Sequence, residues 1–291
     1  MYLFTISLKK FIIENSLYAF GLGVYRKEMI KLNNKKDDNK IYINENSVKS
    51  IYIDICFNDI VIATATGFIV NKGNELYLIT NRHVVTGRNN ETGECLDTVN
   101  SAIPNNIKIM FPYIKDGKWR WDKIMINLFD STDKEIWLEH PIFKNKIDVV
   151  AIKLHIDIQT NFFYNVETNY EICVTDSVFI VGYPFGFDVN PKNGKYAIWS
   201  SGIIASEPGL DLNINDEQLP AFLVDAKTRQ GQSGSPVFYY SPFGVIRTKN
   251  GISVYGKPLI REIGIYSGRI NKDSDLGYVW KWSLISEIIN Q

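Results

Sequence analysis

Short runs of alternating apolar residues, separated by polar turns, extend along most of this chain of 291 residues. In the segment 51–57, Ile, Ile, Ile and Phe occupy every second position, and an Asn-Asp turn follows. A period of two predicts strands with one buried face. The pattern recurs to about residue 280, and helical spacing of apolar residues appears only in 282–289. We therefore expect an all-β barrel or sandwich with a short C-terminal helix.

The pattern also predicts how the chain is divided. Residues 1–46 end in a lysine- and asparagine-rich stretch, which is typical of an N-terminal extension and polar linker. The remaining 47–290 is long enough for two small barrels. We place the first barrel at about 47–156, the second at about 172–280, and the C-terminal helix at 282–289.

Composition excludes several classes of function. The 32 basic and 32 acidic residues cancel, so the balance favours neither a nucleic-acid partner nor a membrane surface. No apolar stretch reaches the roughly 18 residues of a membrane span. Cys56, Cys95 and Cys173 are odd in number and far apart, which favours a reducing compartment. We expect a cytoplasmic protein, and export is disfavoured.

The hexapeptide Gly231-Gln232-Ser233-Gly234-Ser235-Pro236 lies between two apolar, strand-like runs. A serine between glycines on such a turn is held away from any packed surface. Glycine also lets the backbone direct two N–H groups toward one point, as a nucleophile's oxyanion site requires. The same letters occur in plain hairpin turns, so the hexapeptide alone leaves both interpretations open.

Three histidines are present, and only one ends a strand-like run. This is His83; His140 has the setting of a loop residue, and His155 that of an outward-facing strand residue. Asp148 directly precedes an apolar strand, where it is either a turn residue or a buried acid that orients a histidine. The order His83, Asp148, Ser233 favours the second interpretation.

Four segments of the chain resemble the trypsin-like serine peptidases of the chymotrypsin fold, most closely their bacterial Deg-like branch. The resemblance implies two antiparallel six-stranded β-barrels with the active site between them, and it spans roughly residues 50–285. The segments that carry it are TGFIV (66–70) with LITNRHVV (78–85), DVVAIKL (148–154), VGYPFG (181–186), and VDAKTRQGQSGSP (224–236) with GIYSG (264–268).

Residue by residue, the resemblance implies a catalytic triad. His83 matches the general base, Asp148 the group that orients it, and Ser233 the nucleophile. The backbone N–H groups of Gly231 and Ser233 match the oxyanion hole. A serine hydroxyl needs a neighbouring imidazole to take its proton, and the imidazolium needs a carboxylate, so these residue types suit acyl transfer.

The resemblance also implies a substrate cleft. Ser267 and Gly268 match its lining, and Lys227, six positions before the nucleophile, matches the floor of the primary specificity pocket. A lysine there predicts an acidic residue before the scissile bond, with Arg229 and Arg269 adding to the positive field. The alternative is a displaced loop with Lys227 in solvent. The pocket would then be lined by groups such as Ile265 and would favour small aliphatic residues.

Two positions depart from the family pattern. Gln232 stands where digestive relatives have an aspartate that captures a new N-terminal ammonium, so we do not expect activation by that salt bridge. Ser235 stands where glycine is commoner and should crowd the turn. The chain ends soon after the second barrel, so no PDZ module is expected. Regulation would then depend on residues 1–46, on a partner protein or on an oligomer.

The sequence thus predicts a serine endopeptidase that cleaves protein or peptide substrates through an acyl-enzyme at Ser233. No metal or organic cofactor is implied. One alternative is a catalytically silent relative that binds a peptide in the cleft. Another is an esterase, but an α/β-hydrolase would have the order Ser, Asp, His with helices between its strands.

Overall fold

The computed structural model describes residues 29–32, 41–156, 160–166, 171–189, 194–248 and 251–291. Its elements, in chain order, are β1 (Met29–Leu32), β2 (Ile41–Asn44), α1 (Asn46–Lys49), β3 (Ser50–Phe57), β4 (Ile60–Lys72), β5 (Glu75–Thr80), α2 (Arg82–Thr86), β6 (Asn106–Lys115), β7 (Lys118–Asn127), β8 (Trp137–Leu138), β9 (Val150–Leu154), β10 (Tyr164–Asn165), β11 (Ser177–Gly182), a 3₁₀ turn (Pro184–Gly186), β12 (Ile198–Ile204), β13 (Leu212–Ile214), β14 (Glu217–Leu219), β15 (Ala221–Ala226), β16 (Pro236–Ser241), β17 (Val245–Thr248), β18 (Gly251–Val254), β19 (Leu259–Arg269), β20 (Leu276–Lys281) and α3 (Leu284–Ile289).

The chain divides into two compact units. One comprises Met1–Glu45 and Tyr240–Ile260, and its described part contains the antiparallel pairs β1–β2 and β17–β18. The other comprises Asn46–Tyr239 and Arg261–Gln291. Most of the predicted N-terminal extension lies outside the described residues, and the predicted domain boundaries stay a prediction.

The first half of the larger unit is an eight-stranded sheet. Its strand order is β7-β6-β3-β4-β5-β9-β8, and β10 pairs in parallel with β4. The alternation in 51–57 places Ile51, Ile53 and Ile55 in the core beneath this sheet. Burial of such branched side chains is the main force that holds the strands in register.

The second half is a closed barrel of six strands in the order β11-β12-β15-β20-β19-β16. The predicted all-β fold with a short C-terminal helix is confirmed. The apolar face of α3 is buried through Leu284, Ile285, Ile288 and Ile289. No helix in the described ranges has the length and apolar character needed to cross a bilayer.

Two short helices were not predicted. Only 282–289 showed helical spacing, but α1 and α2 each form a single turn of four or five residues. A segment of that length is shorter than the window in which a period of 3.6 can be recognised. His83 therefore lies in the first turn of α2, directly after β5, and not at the end of a strand.

Candidate active site

Strand pairing brings His83 and Asp148 together. Strand β5 ends at Thr80, which pairs with Val150 at the start of β9. Because neighbouring antiparallel strands run in opposite directions, the residues after β5 lie beside those before β9. The buried Asn81 strengthens this junction, since its Nδ2 donates to the backbone oxygen of Asp148 at 2.7 Å.

The carboxylate of Asp148 accepts three hydrogen bonds. The backbone N–H of His83 donates to Oδ1 at 2.9 Å, and Nδ1 of the same residue lies 2.7 Å from Oδ2. The hydroxyl of Ser267 also donates to Oδ2. A carboxylate offers only acceptors, so Nδ1 of His83 carries the proton and Nε2 keeps a free lone pair. The imidazole is thereby held in the tautomer that a general base needs.

The environment of His83 changes its basicity in two opposing ways. Burial alone lowers the pKa of the imidazole, because it penalises the charged form. The negative charge of Asp148 and its hydrogen bond act in the other direction. Their combined effect is larger, so the pKa of His83 is raised above its ordinary value of 6.5.

The turn at residues 231–236 is named the nucleophile turn after the predicted role of Ser233. Its backbone conformation requires glycine at two positions. Gly231 and Gly234 have φ angles of 93° and 83°, a region that side chains disfavour. A Cβ on Gly234 would also collide with the backbone oxygen of Thr66. The turn presents Ser233 half-buried, and its Oγ donates to the backbone oxygen of Ser267 at 2.9 Å. The single hydroxyl proton is thus directed at Ser267 and not at His83.

The backbone of this turn leaves two N–H groups available. Gln230 O accepts a hydrogen bond from the N–H of Phe185 at 2.6 Å. In a trans peptide C=O and N–H point in opposite directions, so the N–H of Gly231 is directed away from Phe185. Among the described residues, neither Gly231 N nor Ser233 N has an intramolecular acceptor. Two such donors beside a serine hydroxyl have the arrangement that a developing oxyanion requires.

The side chain of Gln232 joins the turn to β12, a strand of the barrel. Its side chain is fully buried, Oε1 accepts from the N–H of Arg229 at 2.8 Å, and Nε2 donates to Ser200 Oγ at 2.9 Å. A neutral amide satisfies both partners, whereas a buried carboxylate would require a counter-charge. These two bonds account for the departure at this position without an N-terminal ammonium.

The segment 181–186 fits against the same turn. Ser235 is fully buried, and a Cβ on Gly182 would collide with its hydroxyl. The predicted crowding at Ser235 is therefore accommodated by a glycine on the neighbouring strand. Phe185, which donates to Gln230, has a φ angle of 53°, and the segment thus braces the turn through an uncommon backbone conformation.

A cavity of about 620 Å³ contains the predicted catalytic groups. His83, Asp148 and Ser233 line it, as do Gly231, Ser267, Gly268 and Arg269. Lys227 and Arg229 are exposed and lie outside this lining, as does the fully buried Ile265. Of the residues expected at the cleft, the structure brings all except these three to one cavity.

A family model described as the trypsin-like peptidase domain matches residues 65–241. The chain belongs to this family. It is therefore a trypsin-like protease, a hydrolase that acts on proteins or peptides, and the resemblance read from its motifs is confirmed. No match was found among the curated proteins.

Solved structures with a similar fold are distant in sequence. The active form of the Rv3671c protease from M. tuberculosis is 15% identical, with 84% of this chain and 81% of that chain covered and a TM-score of 0.45. The serine endoprotease from Yersinia pestis is 16% identical, with coverages of 84% and 62% and a TM-score of 0.46. Deg5 is 16% identical, with coverages of 84% and 88% and a TM-score of 0.45.

Sequence reasoning missed the residue that joins the first sheet to the nucleophile turn of this peptidase. Thr66 is fully buried; its N–H donates to Ser233 O at 2.9 Å, and its hydroxyl donates to Gly231 O at 2.8 Å. The same hydroxyl accepts from Tyr183 N at 3.1 Å, and Thr80 Oγ1 donates to Thr66 O. A signal was present, because Thr66 and Thr80 are polar residues beside the apolar runs 68–70 and 76–79.

Proposed function

We propose that this protease is a serine endopeptidase with Ser233 as nucleophile, His83 as general base and Asp148 as the residue that orients His83. The observation that carries the proposal is the bond between His83 Nδ1 and Asp148 Oδ2 in the cavity that Ser233 also lines. That bond leaves Nε2 free to accept a proton.

The first step requires the Ser233 hydroxyl to turn from Ser267 O to His83 Nε2. Oγ then attacks the substrate carbonyl carbon, its proton passes to Nε2, and the carbonyl electron pair moves onto oxygen. The N–H groups of Gly231 and Ser233 stabilise this oxyanion, and one such donor is typically worth about 2.7–4 kcal/mol of barrier. Asp148 stabilises the imidazolium that forms.

The second step breaks the C–N bond. The oxyanion re-forms the carbonyl, and the imidazolium of His83 gives its proton to the departing amine, which leaves an ester on Ser233. Water repeats the sequence with His83 as base and releases the acid. Each proton taken by Nε2 is returned, so the enzyme ends the cycle unchanged.

Hydrolysis of a peptide blocked at both ends tests the proposal, because an exopeptidase requires a free terminus. We expect the wild-type protein to cut it internally and Ser233→Ala to leave it intact. Ser235→Ala is the matched control: it removes a buried hydroxyl two residues away and should still cut. Equal hydrolysis by Ser233→Ala would refute the nucleophile. A wild-type protein that binds the peptide without cutting it would be a silent relative.

We also propose a reducing compartment, such as the cytoplasm, as the place of action. The support is that Cys56, Cys95 and Cys173 are all free thiols. Thiol titration of unfolded protein prepared from its native source should find three reactive groups, and a smaller number would contradict this proposal.

A further inference from the structure

The specificity of the proposed peptidase depends on what lies beside Ser233, and the following inference rests on that proposed function. With the carbonyl carbon at Ser233 Oγ and its oxygen at the N–H groups of Gly231 and Ser233, the acyl residue is fixed in position. Gln230 and Gly231, at the end of the segment 227–231, line the cavity with Ser233, as does the end of β19 at 267–269. We therefore expect the side chain of the acyl residue to lie between these two segments.

The buried residue next to this part of the lining is Tyr266. It directly precedes Ser267 on β19 and is tied to the nucleophile turn at both backbone atoms. Its N–H donates to Ser235 O at 2.9 Å, and its oxygen accepts from Gly234 N at 2.8 Å. The residue is only 2% exposed without any ligand, so its ring is part of the packed wall and not of the open cavity.

The hydroxyl of Tyr266 connects β19 to the segment 227–231. It shares a hydrogen bond with Thr228 Oγ1, and Thr228, in the segment 227–231, is 1% exposed. The two buried hydroxyl groups satisfy each other, which removes the cost of burying either one alone. Burial also raises the pKa of Tyr266 to about 12, so the phenol stays neutral at physiological pH.

The neighbouring strand leaves room for this ring. Gly277 on β20 has no side chain, and a Cβ there would lie 2.6 Å from Tyr266 Cε2 and 3.0 Å from its Oη. The ring therefore occupies the volume that a side chain at 277 would fill. Tyr266, Thr228 and Gly277 do not line the cavity themselves, whereas Ser267 and Tyr278, the chain neighbours of Tyr266 and Gly277, do.

We propose that Tyr266, held by Thr228 and seated on Gly277, forms the floor of a shallow primary pocket, so that this peptidase cleaves after glycine or alanine. A longer side chain before the scissile bond would have to displace a ring that is packed and hydrogen-bonded. Lys227, which is exposed and outside the cavity, then has no part in selecting the substrate.

The cleavage profile of the wild-type protein on a library of blocked peptides tests this directly. We expect kcat/KM for bonds after glycine or alanine to exceed that for bonds after leucine, phenylalanine, lysine or glutamate by about tenfold or more. Efficient cleavage after any of the larger residues overturns the proposal, and a preference for acidic residues would favour Lys227 instead. Absence of all hydrolysis would refute the proposed function itself, and this inference with it.

Two variants at Tyr266 then identify the determinant. Tyr266→Ala opens the floor and should raise kcat/KM after leucine relative to alanine by about tenfold. Tyr266→Phe is the matched control: it keeps the ring, loses only the hydroxyl, and should keep the preference for small residues. Fluorophosphonate labelling of Ser233 verifies that each variant is folded. A Tyr266→Ala protein that is labelled but keeps the wild-type ranking contradicts the proposal. If Tyr266→Ala fails to fold, the wild-type profile still decides.

Discussion

The two sides of the cavity differ in how completely they are arranged for catalysis. On the side of the eight-stranded sheet, His83 and Asp148 are already joined through Nδ1 and through the backbone N–H. On the barrel side, the Ser233 hydroxyl is engaged with Ser267 O. In the proposed mechanism, the first sheet therefore supplies a preset acid–base pair, whereas the barrel supplies a nucleophile that must still turn toward it.

The difference follows from burial. Asp148 is 3% exposed, and a buried carboxylate without hydrogen-bond partners would be costly. Two of its three donors belong to His83, which is therefore held firmly. The Ser233 hydroxyl is half-buried and can exchange one acceptor for another at little cost. The turn that carries Ser233 is itself fixed by Thr66 and Gln232, so we expect the exchange of acceptors to be a rotation of the Ser233 side chain.

The largest effect is expected from removing the base. His83→Ala should lower kcat about 10⁴- to 10⁶-fold, because the members of a triad act as one unit. For the same reason the double variant with Ser233→Ala should lose no more than either single variant. The control is His155→Ala, which removes an exposed histidine and should keep wild-type kcat. Fully additive losses on a blocked peptide would show that the two sides work independently.

Asp148→Asn comes next, with an expected loss in kcat of about 10⁴-fold. The amide nitrogen that replaces Oδ2 is a donor, so it cannot accept the hydrogen bonds that His83 Nδ1 and Ser267 Oγ now donate to Oδ2. The imidazole then loses its fixed tautomer. Ser267→Ala removes a single donor and should cost much less, about tenfold. Equal losses in the two variants would contradict the role of Asp148 as the orienting group.

A smaller effect is expected on the barrel side from Thr66→Val. The change leaves Gly231 O without its hydroxyl donor, which should lower the free energy of unfolding by about 1–3 kcal/mol. The oxyanion donors would be less well fixed, so kcat should fall roughly tenfold. Denaturant unfolding and steady-state kinetics measure the two quantities. Thr66→Ser keeps the hydroxyl and should show the wild-type free energy of unfolding and the wild-type kcat. A Thr66→Val protein that matches wild type in both quantities would show that Thr66 does not position the turn.

The smallest effect is on pH dependence. Only neutral His83 accepts the Ser233 proton, so kcat/KM should rise with pH through a midpoint above the ordinary 6.5 of histidine. The raised pKa of His83 contributes stability that is complete below the unfolded-state pKa and is lost as pH rises through the folded-state pKa.

The variant Asp148→Asn tests the cause of this raised pKa. Of the effects on His83, only burial then remains, so the pKa of His83 should fall below that of wild type. NMR titration of the imidazole measures this change, and an unchanged pKa would contradict it.

Local patterns sufficed to predict much of the molecule. Alternation in 51–57 predicted a strand, and the glycines around Ser233 predicted a turn that only glycine can form. The position of Asp148 two residues before β9 follows from the same reasoning. These features depend on a few neighbouring residues, and a single sequence displays such neighbours directly.

Long-range packing explains what the sequence did not reveal. Thr66 bonds to Gly231, a residue 165 positions away, and no local pattern specifies that contact. The place of Lys227 at a pocket floor stays a prediction; Lys227 is exposed, and the direction of its side chain depends on the fold of its loop, which the sequence does not specify. The orientation of the Ser233 hydroxyl likewise depends on Ser267, which lies on β19, 34 positions further along the chain.

Reaction with a fluorophosphonate, followed by mass mapping of the adduct, tests the central claim that the preset His83–Asp148 pair activates Ser233. Phosphonylation requires a serine whose proton a neighbouring base can take. The wild-type protein should carry one adduct, on Ser233, and His83→Ala should carry none under the same conditions. An adduct on another residue, or labelling of Ser233 at the wild-type rate in His83→Ala, would contradict the account.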